Sequence, residues 1–270
     1  MNNYEEKKQI QKDYYNSTAE KYDHWHTETA SAKVVDEWNF ANLKKFLNVE
    51  KVDACLDIAS GTGRLSNKLL QVSKKVYGVD LSEEVLKIAQ NKYPEIEFKI
   101  GESVNLPYES NFFDLVIING SLHHFFAMEK TFAEAFRVLK PGGKFVVLGE
   151  PNANYHKWHN PFFYLWLASR LLINAALSIL ATKTVFHKEQ IEPDAEVFVP
   201  KKMRQALKDV GFAINQFYTY DYVPRLEAAW FINKYARYLK WERAYLSQWL
   251  PDLGAAIQFM AVKPKELDKN

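Results

Sequence analysis

A single cysteine, ten glycines and ten prolines in 270 residues leave little material for several common designs. Cys55 has no partner for an intrachain disulfide, which excludes a disulfide-stapled scaffold and makes a reducing cytoplasm the expected setting. Charge of one sign is missing too: 35 basic residues face 33 acidic ones, for a net +2. No Lys/Arg stripe marks a nucleic-acid track, so nucleic acid is not an expected partner. The opening run, Met1 to Lys8, is charged and has no apolar signal core. Seven histidines are present, but neither a helical His-x-x-x-His pair nor a carboxylate cluster accompanies them, so no metal site is expected. The longest apolar stretch, 161–186, carries Arg170 near its middle. A charge there would cost about 3 kcal/mol on insertion, which argues against a membrane span.

What is present is a strand–turn–helix–strand run with a carboxylate at each strand end. It reads Cys55-Leu56-Asp57-Ile58-Ala59-Ser60-Gly61-Thr62-Gly63, then Val76-Tyr77-Gly78-Val79-Asp80-Leu81-Ser82. Glycines at a helix start admit a ligand close to the backbone, and a carboxylate ending the next strand can grip a ribose diol. Gly63 and Asp80 lie roughly twenty residues apart or a little less, as such a pocket needs. Alone, Asp57 would be a plain strand-end residue and Asp80 a helix cap; their joint spacing around Gly-x-Gly favours the pocket. A dinucleotide fingerprint would continue to glycine or alanine at position 66, where this chain has Ser66. Asp57 would repel a pyrophosphate but suits an ammonium group. The expected ligand is a nucleoside bearing a cationic amino acid, and S-adenosylmethionine meets both demands.

At these residues the chain resembles the class I S-adenosylmethionine-dependent methyltransferases of the small-molecule type. Asp57 to Gly63 resembles that family's first motif and Gly78-Val79-Asp80-Leu81-Ser82 its ribose motif. Gly101-Glu102-Ser103-Val104-Asn105-Leu106-Pro107-Tyr108 is similar to its adenine-contacting stretch. Phe113 to Asn119 resembles the fourth strand, and Arg137 to Lys144 the turn before the fifth. The resemblance implies that Asp57, with the backbone around Ala59, Gly61 and Gly63, holds the methionine portion. It implies that Asp80 accepts from both ribose hydroxyls and that Leu81 packs on the adenine. Glu102, where the family more often has Asp, would accept from the adenine amino group, and the Ser103 amide would read a ring nitrogen. The backbone of Asn119 would face the sulfonium. Tyr15 to Asp23 is similar to the N-terminal lid of such enzymes, in which Tyr22 leans over the cofactor.

Alternating apolar runs and helical patterns from Val52 to Gly149 predict an α/β fold, a doubly wound, mostly parallel sheet of seven strands with helical insertions forming a cap. Five parts are expected: an N-terminal helical lid (1–50), the cofactor-binding core (51–150), an apolar helical insertion (151–199), the C-terminal sheet (200–264) and a tail (265–270). Ser82 is a helix N-cap, with Glu83 and Glu84 complementing the dipole. Pro200 to Val210 is a helix ended by Gly211. Phe212 to Tyr222 and Ala255 to Val262 read as the last two strands, and the resemblance implies that they form an antiparallel finish to the sheet. Between them, in an inserted helix at 226–249, Phe231, Tyr235, Tyr238, Trp241, Tyr245 and Trp249 form a helical stripe beside Lys234, Arg237, Lys240 and Arg243. Three uses of the two insertions stay open: a cap over the substrate, an interfacial membrane surface, or a homodimer face.

Methyl transfer from a sulfonium needs mainly positioning in a dry site. A base is needed only where the acceptor must lose a proton. His123 and His124, just past the fourth strand, are the candidates, and capping the next helix is their competing use. His26, His156 and His159 are weaker ones. The expected acceptor is a small apolar or aromatic molecule methylated at oxygen or ring carbon. The competing readings are a non-catalytic cofactor-binding module and an NAD-dependent oxidoreductase.

Overall fold

The computed structural model describes residues 3–26, 30–48, 50–155, 157, 160–165, 167–168, 196–222 and 229–265. Most of the apolar stretch 161–186, with His156 and His159, lies outside the described residues. Two helices, α1 (Asn3–His26) and α2 (Ala30–Leu47), precede the sheet. Then follow β1 (Val52–Ile58), α3 (Arg64–Leu69), β2 (Ser73–Asp80), α4 (Glu83–Lys92), β3 (Glu97–Ile100) and β4 (Phe113–Asn119). A 3-10 turn (Leu122–His124), α5 (Met128–Val138) and β5 (Leu139–Pro151) complete the central region. After the insertion come α6 (Pro200–Val210), β6 (Ala213–Tyr220), α7 (Ala229–Ala244), α8 (Leu246–Trp249) and β7 (Ala256–Val262).

The strands form one seven-stranded sheet in the order β3-β2-β1-β4-β5-β7-β6. Strands β1 to β5 pair in parallel, and β7 is antiparallel to both its neighbours. Only β7 is therefore reversed, slotted between β5 and β6. The chain winds outward from β1 in both directions, so the order reverses between β1 and β4. The crevice outside their carboxyl ends is where an open α/β sheet binds ligands.

Both faces of the sheet are covered, which is why its strands read as near-continuous apolar runs. In β4, Val116 and Ile118 face one core with Phe132, Val138, Met203 and Leu207. Leu115 and Ile117 face the other, with Leu43, Leu47, Leu69, Leu86 and Ala89. This is the two-residue period of a strand buried on both sides. Cys55 belongs to the second core, where burial pushes its thiol well up. Ser82 caps α4 as its sequence implies, its hydroxyl accepting from the Val85 amide at 3.3 Å. Pro200 opens α6, and Gly211 closes it in the left-handed region at φ 107°. A third cluster, Val35, Trp38, Tyr218, Tyr220 and Leu239, ties α2 and α7 to β6.

Candidate cofactor and methyl-transfer site

The turn after β1 is held in left-handed backbone: Ala59 has φ 56°, Gly61 55° and Gly63 80°. Positive φ in a residue with a Cβ stores strain and persists where its surroundings over-determine it. Here the end of β2 does so. The Ser60 amide donates to the Val79 carbonyl at 3.0 Å, and the Gly61 amide to Asp80 Oδ2 at 2.9 Å. Asp80 Oδ1 takes the Ser82 amide at 2.9 Å. One carboxylate thus joins the glycine turn to the start of α4. Burial raises the Asp80 pKa, opposed by the amides of Ser82, Gly61 and Leu81.

Asp57 is 2 % exposed, and its carboxylate accepts from Ser66 Oγ at 2.6 Å. Burial pushes its pKa up to about 7, with Asp80 adding repulsion and the Ser66 hydrogen bond opposing both. Position 66, where a dinucleotide fold would need glycine, is thereby committed to Asp57. The two glycines of the turn differ in use. Gly61 lines the crevice. A Cβ on Gly63 would instead meet Tyr93 at 2.8 Å and Phe98 at 2.9 Å, so its bareness lets α3 pack against α4 and β3.

Two cavities meet at this turn, sharing Ala59, Gly61 and Ser121. The first, about 100 Å³, is bounded by Asp80, Leu81, Glu102, Ser103, His124 and Phe125. The second, about 300 Å³, is bounded by Asp57, Asn119, Gly120, Gly149 and Tyr220, with Val35 and Asn39 of α2. Helix α1 roofs the first. Lys8 Nζ lies 2.9 Å from Glu102 Oε1, and the Tyr4 hydroxyl donates to Oε2 at 3.3 Å. Hydrogen bonds to Glu5 and Glu102 raise the Lys8 pKa. Ser82 Oγ donates to Asn16 Oδ1 at 2.7 Å, and the Tyr15 hydroxyl is 2.9 Å from His124 Nε2. Tyr22 falls within α1, but its side chain lies outside the described residues, as does that of His26.

The carboxyl ends of β4 and β5 supply the rest. Glu150, one residue before the end of β5, is fully buried. Its Oε1 accepts the amides of Ser121 and Leu122, both at 3.0 Å. Its Oε2 takes the His123 amide at 3.1 Å and His123 Nδ1 at 3.0 Å. Three backbone amides and the His123 ring thus converge on one carboxylate, which fixes the orientation of that ring. The His123 and His124 rings lie 4.0 Å apart, centroid to centroid, and His124 is the one that lines the first cavity. The sequence reading missed Glu150, though a signal was present: like Asp57, Asp80 and Asn119, it is a polar residue at the end of an apolar parallel strand.

The architecture fits an adenosyl amino acid better than a dinucleotide. A carboxylate lies at each side of a strained turn, Ser66 stands where the third glycine would be, and Asp57 lines the larger of the two joined cavities. Among the described residues, no three His, Cys, Asp or Glu side chains group as a metal site.

Known proteins resemble this chain in sequence and in fold. The Methyltransferase domain family matches residues 56–147. A demethylmenaquinone methyltransferase of Paenarthrobacter aurescens is 31% identical over 160 residues, 58% of this chain and 58% of the relative. Another, from Symbiobacterium thermophilum, is 30% identical over 175 residues, 60% of this chain and 67% of the relative. The match thus spans between about half and two thirds of these relatives' length. Among solved structures, Haemonchus contortus phosphoethanolamine N-methyltransferase 2 in complex with S-adenosyl-L-methionine superposes with a TM-score of 0.54. It is 20% identical and covers 85% of this chain and 53% of that one.

Proposed function

Because this chain belongs to the class I S-adenosylmethionine-dependent methyltransferases, an enzyme family that draws its methyl group from that cofactor, we propose that it methylates a small apolar acceptor of quinone or phenol type, at oxygen or ring carbon. The observation that carries this reading is the junction of two cavities at the Ala59–Gly61 turn. A ligand laid across that turn has Asp80 and Glu102 at one end and Asp57, Asn119 and Tyr220 at the other. The names of the relatives support the acceptor class, since both act on a demethylated menaquinone.

When bound, S-adenosylmethionine supplies an electrophilic methyl group on a sulfonium. The chain's own residues do the remaining work. Asp57 holds the ammonium of the methionine portion, with the amides of the 59–63 turn beside it. Asp80 takes the ribose hydroxyls while keeping the Gly61 and Ser82 amides, since a carboxylate has about four acceptor sites. Leu81 covers the adenine face, the Ser103 amide reads its ring, and Glu102 turns from Lys8 and Tyr4 to the adenine amine. The backbone at Asn119 lines the methyl path, and Tyr22 belongs to the lid. His124 is the base that touches the acceptor, and His123, fixed by Glu150, positions it from behind. An acidic phenol or activated ring carbon then loses its proton to the His124 imidazole, histidine being the commonest general base.

The test is transfer of radiolabelled methyl from S-adenosylmethionine to a demethylated quinone, run beside calorimetry with S-adenosylhomocysteine and with NAD. Label in the quinone and tight binding of the demethylated cofactor are expected. Cofactor binding without label in any quinone or phenol would remove the acceptor class and favour a binding module. Tight NAD binding would overturn the cofactor itself.

A further inference from the structure

Methyl transfer leaves the outer face of α7 and α8 unused. Within residues 229–250 the only acidic side chain is Glu242. It is fully buried and accepts the Tyr222 amide at 2.7 Å. Leu239 faces inward with it, packed among Trp38, Tyr218 and Tyr220. Arg243 also turns in, donating to Gln216 Oε1 at 2.7 Å and lying 4.6 Å from the centre of the Tyr218 ring. The opposite face is different. Lys234, Arg237 and Trp241 fall within about 60° of helical arc at 3.6 residues per turn, and all three are exposed, as are Lys240 beside them and Tyr245 just past the end of α7. Trp241 is 49 % exposed, Tyr245 57 %, and Trp249 at the end of α8 82 %. Tryptophan is highly buried on average, so two exposed on one short stretch need a reason.

A second apolar strip reaches the same place. Residues 161–165 are helical. Phe162 packs edge-on against Tyr222 at 5.1 Å, and the Tyr222 hydroxyl donates to the carbonyl of Leu250, next to Trp249, at 2.7 Å. This strip exposes Tyr164 and Leu165.

We propose that this face docks on the surface of an anionic lipid bilayer. Tryptophan and tyrosine settle at headgroup level, with an apolar body and a polar tip. Lysine and arginine beside them reach the lipid phosphates, with stems lying along the aromatic surface. A second copy of the chain is the poorer occupant, because a two-fold contact would bring six basic side chains to one seam while the only carboxylate of residues 229–250, Glu242, is buried in each copy. The proposal stands apart from the choice of acceptor, and it gives a lipid-borne one a short path to the enzyme.

Co-sedimentation with vesicles tests it, using the full chain with phosphatidylcholine alone and with equal parts phosphatidylcholine and phosphatidylglycerol. The protein should follow the anionic vesicles at low salt and lose them as salt rises. Lys234→Gln and Arg237→Gln should each cut partitioning about fivefold. Trp241→Ser with Trp249→Ser should abolish it while S-adenosylhomocysteine binding by calorimetry stays unchanged, which keeps a docking failure distinct from a cofactor failure. Absence from anionic vesicles at low salt would overturn the proposal. So would a dimer in analytical ultracentrifugation that the double tryptophan variant dissociates without any change in lipid binding.

Discussion

Acidifying the solution should release the cofactor through one carboxylate. Asp57 is buried, and its pKa stands at about 7 against an ordinary 3.8. Protonated, it offers an ammonium no charge, so binding of the methionine portion requires the ionised form. Below pH 7 each bound ligand therefore expels one proton, and affinity should fall about tenfold per pH unit. Above pH 7 it should be flat until the ligand's own ammonium, that of a free amino acid, deprotonates at clearly alkaline pH. The ligand-free protein responds in the opposite sense. Its folded pKa exceeds the unfolded one, so Asp57 contributes stability that is fully present below about pH 4 and lost as the pH rises through 7, up to about 4 kcal/mol. Calorimetric titration with S-adenosylhomocysteine from acid to neutral pH gives the slope, and adenosine, which has no ammonium, serves as the control. Ser66→Ala removes the hydrogen bond that favours the ionised form and should move the break to higher pH. Asp57→Asn should flatten it. A slope shared by adenosine, or a break that Ser66→Ala leaves in place, would refute the reasoning.

Two further outcomes are expected. Asp80→Ala strips the Gly61 and Ser82 amides of their acceptor, and should weaken S-adenosylhomocysteine binding by about 1–3 kcal/mol; unchanged affinity in calorimetry would take Asp80 out of the site. Glu150→Gln keeps the volume but turns an amide group toward donors, and should cost about 2–4 kcal/mol of stability and lower Tm by roughly 5–15 °C. It should also slow turnover about a hundredfold, so normal turnover at a normal Tm would show that Glu150 does not fix the histidine pair.

Local chemistry is what made parts of this molecule readable from its residues. Ser82, Pro200 and Gly211 announce helix ends by hydrogen bonding and backbone geometry that need no distant partner. The run from Asp57 to Asp80 announces a pocket because its parts lie within one βαβ unit. Pairing order was less legible. That β7 slots between β5 and β6 depends on contacts across the whole sheet, such as Phe259 with Phe132 and Phe145, and its sequence reads the same at either position. Gly63 illustrates another limit. Its motif suggests a place of ligand approach, whereas Tyr93 and Phe98, thirty residues on, decide that its missing side chain serves packing. Glu150 was hidden for a third reason: its value lies in four donors gathered from a turn some 27 to 29 residues earlier. The stripe of α7 was visible as a period, but the helix breaks at Tyr245, which starts the separate turn of α8.

The roof over the nucleoside cavity is fastened differently from the rest of the protein. Lys8 to Glu102, Lys12 to Glu83, Asn16 to Ser82 and Tyr15 to His124 are polar ties at the rim, while among the described side chains the two main cores include no α1 residue. The two ion pairs among them, Lys8 with Glu102 and Lys12 with Glu83, hold by about 1 kcal/mol or less each. Freeing α1 from these ties would therefore leave both sheet cores in place, at a cost far below that of unfolding.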